Sequence, residues 1–233
     1  MSLKSFLKGF SGELQSTLAK KVFLDSNVYV DINNVTLPTE NGTTQIDHII
    51  VSRFGIFVVE TKNMAGWIFG DEQSSQWTQS LPGGRKFPFQ NPLHQNYKHV
   101  KVLQEFLGLE EEKIFSVVMF WGDAEFKTPM PPNVLTRGYV PYIKSKLDVL
   151  FTGDDMDDII LAIRTGMLPK TWATHREHVA GLQSRFASTT VCPKCGGALV
   201  LRKPKSGAGE GAPYYGCSGS PGCRYVRKVE AGA

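Results

Sequence analysis

QIDHIIVSRFGIFVVETKN, residues 45–63, predicts two β-strands joined by a tight turn. Both strands are dominated by apolar and β-branched residues, and the turn falls near Arg53, Phe54 and Gly55. If Arg53 and Phe54 form a two-residue turn, the numbers of paired residues sum to 107, so Ser52 faces Gly55. The same register predicts which polar residues meet at the far end of the hairpin.

That register places Asp47 opposite Glu60 and Gln45 opposite Lys62. Because side chains alternate between the two faces of a strand, these four residues are expected to share one face. Directly opposed carboxylates, with Cβ atoms about 5 Å apart, repel each other unless a cation lies between them. Their hard oxygen ligands favour Mg²⁺ or Mn²⁺.

The roles of these polar residues have simpler alternatives. Lys62 is placed to bind an attacked phosphate or to position an attacking water, but it would also serve as a salt-bridge partner of Glu60 or Asp47. The two carboxylates would equally serve to cap backbone amides in a loop. The register alone leaves these alternatives open.

Apolar periodicity and turn residues predict the other elements. Helices are expected at residues 3–20, 91–107, 154–165 and 171–187, and strands at 28–32, 67–69, 114–121 and 134–140. A loop is expected at 33–43 and a turn at 81–84. This order predicts an α/β fold with a mixed sheet flanked by helices. We expect it to occupy residues 1–187.

Several segments together resemble a known family. GEL at 12–14, the hairpin sequence at 45–63, GWIFG at 66–70, Trp77 and NPLHQN at 91–96 resemble the nuclease-related domain (NERD) family of the PD-(D/E)xK nuclease superfamily. The resemblance implies a restriction-endonuclease-like fold and divalent-metal-dependent nuclease activity. It further implies that Glu13 and Gln95 join the site, with Asp47 and Glu60 as metal ligands and Lys62 as the motif lysine.

The four cysteines of the chain lie close together near its C-terminal end. Cys192 and Cys195 have C-x2-C spacing, and Cys217 and Cys223 follow after a 21-residue gap with C-x5-C spacing. Two such pairs indicate a structural zinc site with four thiolate ligands. The alternative, two disulfides, requires an oxidising compartment, and the chain shows no export signal. We therefore expect a small zinc module at residues 190–229.

Positive charge is concentrated in the same segment. Of the 26 basic and 22 acidic residues, seven and two lie from Thr189 onward, so this segment carries +5 and the rest of the chain −1. A basic module on a near-neutral body is typical of proteins that contact phosphates.

This module resembles the four-cysteine zinc ribbon of bacterial type IA topoisomerases, through CPKCGGALVLRKPK and YYGCSGSPGCRYVRK. The resemblance implies binding to single-stranded DNA. Tyr214, Tyr215 and Tyr225 would offer stacking faces or pack the small core, and four cations would contact phosphates: Arg202, Lys203, Arg224 and Arg227.

The expected function is therefore metal-dependent hydrolysis of DNA, single-stranded or branched, by a protein recruited through its zinc ribbon. A non-catalytic DNA-binding adaptor on a nuclease fold is the alternative, and RNA is a further possible substrate. No run of about 18 apolar residues is present, so we expect a cytoplasmic protein without a membrane segment. The sequence does not predict the oligomeric state.

Overall fold

The computed structural model describes residues 24–40, 42–188, 190–192, 197–203, 213–220, 223 and 225–229. The predicted helix at 3–20 therefore lies outside the described residues. Contacts divide the chain into two compact units, one of residues 1–38 and 44–169 and the other of 39–43 and 170–233. Among the helices of the described ranges, none combines the length and the apolar character needed to span a membrane.

The larger unit is built on a five-stranded mixed sheet in the order β1-β2-β3-β7-β9. Its strands are β1 (Tyr29–Thr39), β2 (Gly42–Ser52), β3 (Gly55–Asn63), β7 (Ile114–Trp121) and β9 (Val134–Leu135). β2 and β3 are antiparallel, whereas β3 pairs with β7 and β7 with β9 in parallel. The predicted α/β fold with a mixed sheet is confirmed.

The predicted hairpin turn is confirmed. Ser52 pairs with Gly55, so Arg53 and Phe54 form the two-residue connection, and the pairs continue to His48 and Val59. Gly55 has a φ of 126°, and a Cβ atom there would come within 2.5 Å of the Phe115 ring. Glycine is therefore required both by the backbone and by the neighbouring strand.

A second, four-stranded sheet in the order β6-β5-β4-β8 was only partly predicted. Its strands are β4 (Gly66–Phe69), β5 (Gln76–Ser80), β6 (Lys86–Gln90) and β8 (Ala124–Phe126). The strand at 67–69 and the turn at 81–84 were expected, but the strands flanking that turn were not. They are short, and β6 is largely exposed, so they lack a strong apolar pattern.

The helices are α1 (Pro92–Leu107), α2 (Tyr139–Lys144), α3 (Gly153–Gly166) and α4 (Trp172–Ala187), with a 3₁₀ turn at Glu111–Lys113. The predictions for α1, α3 and α4 are confirmed. Asn91 caps α1 by accepting a hydrogen bond from the Leu93 amide, and Pro92 follows it. A capping box between Thr152 and Asp155 begins α3.

Two predictions of secondary structure were wrong. The expected loop at 33–43 is largely strand, because β1 continues to Thr39 through a kink at Asn34, where φ is 51°. The expected strand at 134–140 ends after Leu135, and α2 begins at Tyr139 behind the left-handed Gly138. In both segments pairing or packing overrode the local turn and apolar patterns.

Each face of the central sheet packs against its own helices. One core cluster joins Ile49, Val51 and Val58 to Val100 and Leu103 of α1 and to residues of α3. Its counterpart on the other face joins Ile50, Phe57, Val59 and Met119 to Tyr139 and Ile143 of α2. This alternation along β2 and β3 is the period of two expected for a sheet buried on both faces.

Asn96 fixes α1 to the sheet. Its buried side-chain amide donates to the backbone carbonyls of Val58 and Val117 and to the Ser116 hydroxyl. One polar side chain therefore connects the helix to both β3 and β7. The neighbouring positions of α1 are held above the end of β3 as a result.

The smaller unit contains a three-stranded antiparallel sheet of β10 (Leu199–Arg202), β11 (Tyr214–Cys217) and β12 (Val226–Lys228). Its core cluster consists of Cys192, Leu199, Cys217 and Cys223, with Tyr215 and Tyr225 packed against it. A core of this size supplies little apolar burial, which is the usual situation in which a metal stabilises a small module.

Candidate active site and zinc centre

Glu60 is the centre of a buried polar cluster in the larger unit. Its side chain is 3% exposed, and its Oε1 lies 2.5 Å from Lys62 Nζ. The same ammonium donates to Gln95 Oε1 at 2.9 Å. Glu60 and Lys62 are two residues apart on β3, so both side chains project to the same face of the sheet, toward α1, which carries Gln95. The structure thus brings together three of the residues predicted for the site.

His99 is a member of this cluster that sequence reasoning missed. Its Nε2 lies 3.4 Å from Glu60 Oε2, and its Nδ1 lies 2.8 Å from the Thr44 hydroxyl. A signal was present in the sequence, because positions four apart share one face of a helix and His99 follows Gln95 by four. The cluster is therefore a chain of polar groups from Thr44 through His99 and Glu60 to Lys62.

The protonation state of Glu60 follows from these neighbours. Burial, the largest influence, would raise the pKa of Glu60, but the Lys62 ammonium and the His99 ring together lower it below its ordinary value. Glu60 is therefore held as a carboxylate. Its Oε2 is buried and accepts no hydrogen bond from the described residues. The lone pairs of this oxygen can therefore bind a further ligand.

Asp47 lies beside this cluster. The extended register had predicted that Asp47 would pair with Glu60, but the β2–β3 ladder does not contain that pair. The regular pairing ends at His48 and Val59, and Asp47 Oδ2 instead accepts from the amide of Thr61 at 2.8 Å and from its hydroxyl at 2.7 Å. Asp47 thus contacts the residue between Glu60 and Lys62.

The cause of this difference lies in β2. Ile46 and Ile49 both belong to the core cluster that contains Val100 and Leu103 of α1. Residues three apart on a regular strand face opposite sides, so the alternation is interrupted between them. Asp47 occupies that interruption, and its side-chain direction could not be obtained by extending the hairpin register.

Asp47 and Glu60 nevertheless interact electrostatically. Burial, followed by the negative charge of Glu60, raises the pKa of Asp47, and the hydrogen bonds from Thr61 oppose this shift. Two carboxylates with this mutual repulsion form a hard oxygen donor set, in which Glu60 Oε2 has His99 Nε2 at 3.4 Å. The residues present therefore fit a divalent cation such as Mg²⁺ or Mn²⁺.

One other residue predicted for the site is not brought into the cluster by the structure, and another lies outside the described residues. Gln45 is half-buried on β2 and makes no hydrogen bond to the described residues around Glu60. Glu13 lies outside the described residues. Their roles rest on the sequence alone.

The described cysteines of the smaller unit converge as a zinc site requires. The sulfur atoms of Cys192, Cys217 and Cys223 all lie within 4.8 Å of one another, and no disulfide joins these three. Tetrahedral thiolates bound to zinc at about 2.3 Å lie about 3.8 Å apart, and Cys192 and Cys223 Sγ are 3.8 Å apart. The Gly219 amide donates to Cys217 Sγ. These residues fit a structural zinc ion, whose predicted fourth ligand, Cys195, lies outside the described residues.

The residues predicted to contact nucleic acid have structural partners as well. Arg202 donates to the Cys217 carbonyl at 3.1 Å, and Arg227 donates to the Ser188 carbonyl at 3.0 Å. A guanidinium carries five N–H groups, so the bond to Cys217 leaves Arg202 able to donate to other acceptors. Lys203 is exposed, and Arg224 lies outside the described residues.

The tyrosines of the ribbon take part in its core. Tyr215 and Tyr225 pack against the cysteine cluster, and both remain half-exposed. Tyr214 is likewise half-exposed on β11. Part of the surface of Tyr215 and Tyr225 is therefore used in packing, which was the alternative to base stacking. The exposed part of each ring is accessible to a partner.

Two family models match the chain. The model of the nuclease-related domain matches residues 8–121, and that of the topoisomerase DNA binding C4 zinc finger matches residues 189–232. These matches agree with the two resemblances found in the sequence. They support a nuclease-like, DNA-associated role and a structural zinc site.

Two curated relatives extend this result. An uncharacterised protein of Bacillus anthracis is 36% identical over 197 residues, which cover 79% of this chain and 90% of the relative. The uncharacterised protein YrdD of Escherichia coli strain K12 is 48% identical over 42 residues, 18% of this chain and 21% of that protein. No solved structure matches the chain. The chain belongs to the nuclease-related domain family and carries a topoisomerase-type C4 zinc ribbon.

Proposed function

We propose that the protein is a divalent-metal-dependent nuclease that hydrolyses phosphodiester bonds of DNA. The observation that carries the proposal is the buried cluster of Glu60, Lys62, Gln95 and His99 beside Asp47. Glu60 is a buried carboxylate whose pKa Lys62 and His99 lower, and its charge in turn raises the pKa of the neighbouring Asp47. Such perturbed groups are typical of functional sites.

Asp47 and Glu60 would hold the cation. When bound, a divalent ion polarises the phosphate and lowers the pKa of a bound water. Lys62 contacts a non-bridging phosphate oxygen, where its positive charge stabilises the negative charge of the transition state. Gln95 accepts from the Lys62 ammonium and fixes its direction, and His99 holds Glu60 from the opposite side. Glu13 and Gln45 are proposed as further members of this site.

The zinc ribbon would recruit the protein to DNA. Its net charge of +5 from Thr189 onward attracts the phosphate backbone. We assign phosphate contacts to Arg202, Lys203, Arg224 and Arg227. The exposed parts of Tyr215 and Tyr225 would stack on unpaired bases, which favours single-stranded or branched DNA over duplex.

This proposal assigns the nuclease role to residues 1–187 and the ribbon role to residues 190–229. It also places the protein in the cytoplasm, where nucleic acid is accessible and thiolates stay reduced enough to bind zinc.

The decisive experiment is a cleavage assay with Mg²⁺ or Mn²⁺ on single-stranded, duplex and branched DNA and on single-stranded RNA. We expect wild type to cleave DNA, and Asp47→Ala and Glu60→Ala to fall to background. Asp123→Ala, which removes an exposed carboxylate outside the cluster, is the control. Equal activity of all four proteins would exclude catalysis at this site, and cleavage of RNA alone would change the substrate.

A non-catalytic DNA-binding adaptor is the second candidate, and a specific observation favours it. Lys62 already neutralises Glu60, and Asp47 already accepts from the amide and hydroxyl of Thr61. Both acids therefore have structural partners. If wild type binds single-stranded DNA but cleaves none of the four substrates with either metal, the adaptor is the correct function.

A further inference from the structure

A cavity in the larger unit lies at the carboxyl end of the parallel strands, outside the polar cluster. Its volume is about 500 Å³, which is within the usual range for small-molecule sites, and its wall is mostly apolar. Met119 and Trp121 of β7 and Tyr139 of α2 form part of the wall. In open α/β sheets, ligands commonly bind beyond the carboxyl ends of parallel strands.

The sheet register relates the cavity to the proposed site. Thr61 pairs with Met119 and Asn63 with Trp121 in the parallel β3–β7 ladder. Paired residues project to the same face, and neighbouring strands lie about 4.8 Å apart. The side chain of Thr61, whose amide and hydroxyl hold Asp47, is therefore on the same face of the sheet as Met119 of the cavity wall. Glu60 and Lys62 project to the other face of the sheet, toward α1, so the cavity and the polar cluster lie on the two sides of β3.

Two aromatic residues of the wall carry polar atoms that are buried behind it and have no partner among the described residues. Trp121 and Tyr139 have ring centroids 6.5 Å apart in an edge arrangement. Tyr139 is 4% exposed, and its hydroxyl and the Trp121 indole N–H have no hydrogen-bond partner among the described residues. Buried groups of this kind are normally satisfied, so a ligand carbonyl reached by a small side-chain rotation would complete this wall.

Two cations stand at the cavity and fit an anionic ligand. Arg137 and Lys144 both contribute to the lining and are exposed. Neither forms an ion pair with another residue in the described part of the chain. Burial and the nearby charge of Asp31 raise the pKa of Tyr139 well above its ordinary value, so the phenol stays neutral and keeps its donor.

We propose that this cavity binds one unpaired nucleotide of the nucleic-acid substrate. The base lies against Trp121 and Tyr139, with a carbonyl oxygen toward their donors, and the phosphate lies between Arg137 and Lys144. That this nucleotide belongs to the cleaved strand rests on the proposed nuclease function. Only an unstacked base can enter such a cavity, so the site selects for single-stranded nucleic acid.

The binding experiment uses the full chain without added divalent metal. The four tryptophan indole resonances are followed by ¹⁵N–¹H NMR, and Trp121→Phe serves only to assign the Trp121 signal. We expect thymidine 5′-monophosphate to shift this signal saturably, and 2-deoxyribose 5-phosphate, which lacks the base, to leave it in place. A Trp121 signal that thymidine 5′-monophosphate does not move would overturn the proposal.

Matched variants test the individual contacts. Tyr139→Phe, which keeps the ring, should weaken thymidine 5′-monophosphate binding about 3- to 10-fold, and Tyr142→Phe on the same helix should not. Arg137→Gln should weaken it by a similar factor, whereas Arg164→Gln on α3 should leave it unchanged. Equal effects of each variant and its control would contradict a specific site.

The cleavage assay separates this proposal from the proposed function. In an active protein, Arg137→Gln should raise KM for single-stranded DNA and leave kcat close to wild type. If wild type never cleaves but its Trp121 signal shifts with the nucleotide, the nuclease function fails and the cavity assignment stands. If it cleaves while that signal stays fixed, the cavity assignment fails alone.

Discussion

At the scale of single residues, Glu60 is constrained on both sides of its carboxylate. Lys62 contacts one of its oxygens and His99 lies 3.4 Å from the other. A carboxylate held from two sides keeps its direction when a cation or phosphate arrives. The residues that hold Glu60 are therefore expected to affect activity even though they need not touch the substrate.

His99 provides the first test of this idea. We expect His99→Ala to lower Mn²⁺ affinity or kcat by about 10- to 100-fold, the usual effect of removing a group that orients a metal ligand. His99→Gln, which keeps a donor on the side chain, should recover part of the loss. The measurements are calorimetric Mn²⁺ titration and steady-state cleavage.

His94→Gln is the control. His94 lies on the same helix as His99, but its ring contacts the backbone carbonyl of Glu72 and not Glu60. A loss of the same size in His94→Gln and His99→Ala would show that helix stability, and not Glu60 orientation, explains the effect.

The second prediction concerns the stability cost of Asp47. Its folded-state pKa is raised by burial and by Glu60, so the folded state binds the proton more readily than the unfolded state. Ionisation of Asp47 therefore destabilises the fold as pH rises through its folded pKa. We expect Asp47→Asn to melt a few degrees higher than wild type at pH 7 and to lose cleavage activity.

The difference in melting temperature between Asp47→Asn and wild type should shrink as pH falls into the range where Asp47 is protonated in both the folded and the unfolded state. Glu60 behaves oppositely, because a lowered pKa contributes stability that is lost as pH falls through the folded value. Thermal melts of wild type, Asp47→Asn and the exposed control Asp123→Asn across pH 4–8 test the sign. An Asp47→Asn protein with a lower melting temperature than wild type at pH 7 would contradict the predicted sign.

At the scale of elements, α1 positions the site by means of Asn96. The third prediction is that Asn96→Ala lowers the free energy of unfolding by about 1–3 kcal/mol, because two backbone carbonyls lose a buried donor. Activity should also fall, since Gln95 and His99 lie on the same helix. Urea denaturation and cleavage assays measure the two effects.

Tyr97→Ala is the matched control, because Tyr97 neighbours Asn96 on α1 and is exposed. An Asn96→Ala protein with wild-type stability would show that the three hydrogen bonds do not fix the helix.

The sequence predicted the elements best where two local signals agreed. The hairpin turn was predictable because apolar strands flank a two-residue turn, and α1 because a capping Asn91 precedes Pro92. The sequence did not predict the interruption between Ile46 and Ile49, since a bulge changes which face a side chain takes without changing the apolar pattern. The hydrogen bonds of Asp47 with Thr61 were not predicted for this reason.

Other differences arose from long-range packing. The contact of His99 with Glu60 depends on α1 lying over β3, which no local pattern contains. β1 extended through the expected loop because β2 offered a pairing partner, despite the positive φ of Asn34. The strands β5 and β6 are too short and too exposed for periodicity to indicate them.

At the scale of the whole molecule, the fourth prediction concerns zinc. Chelation, or Cys223→Ser, should unfold the ribbon and abolish binding to single-stranded DNA, because a module with so small a core depends on its metal. The larger unit should keep its fold, since its core clusters contain none of these cysteines. Zinc content, circular dichroism and fluorescence anisotropy of labelled oligonucleotides measure these effects.

Ser218→Ala, next to Cys217 and exposed, is the control and should retain zinc and binding. If zinc removal unfolds the larger unit as well, the proposed division at residues 187–190 is incorrect.

The parallel pairing of β3 with β7 has a consequence for the newly made protein. A parallel pair needs a long crossover, here everything between Asn63 and Ile114, including α1. During translation the hairpin with Asp47 and Glu60 leaves the ribosome before Gln95 and His99 do, and its neighbouring strand β7 follows later still. A nascent chain therefore cannot complete the polar cluster around Glu60 until both α1 and β7 have emerged.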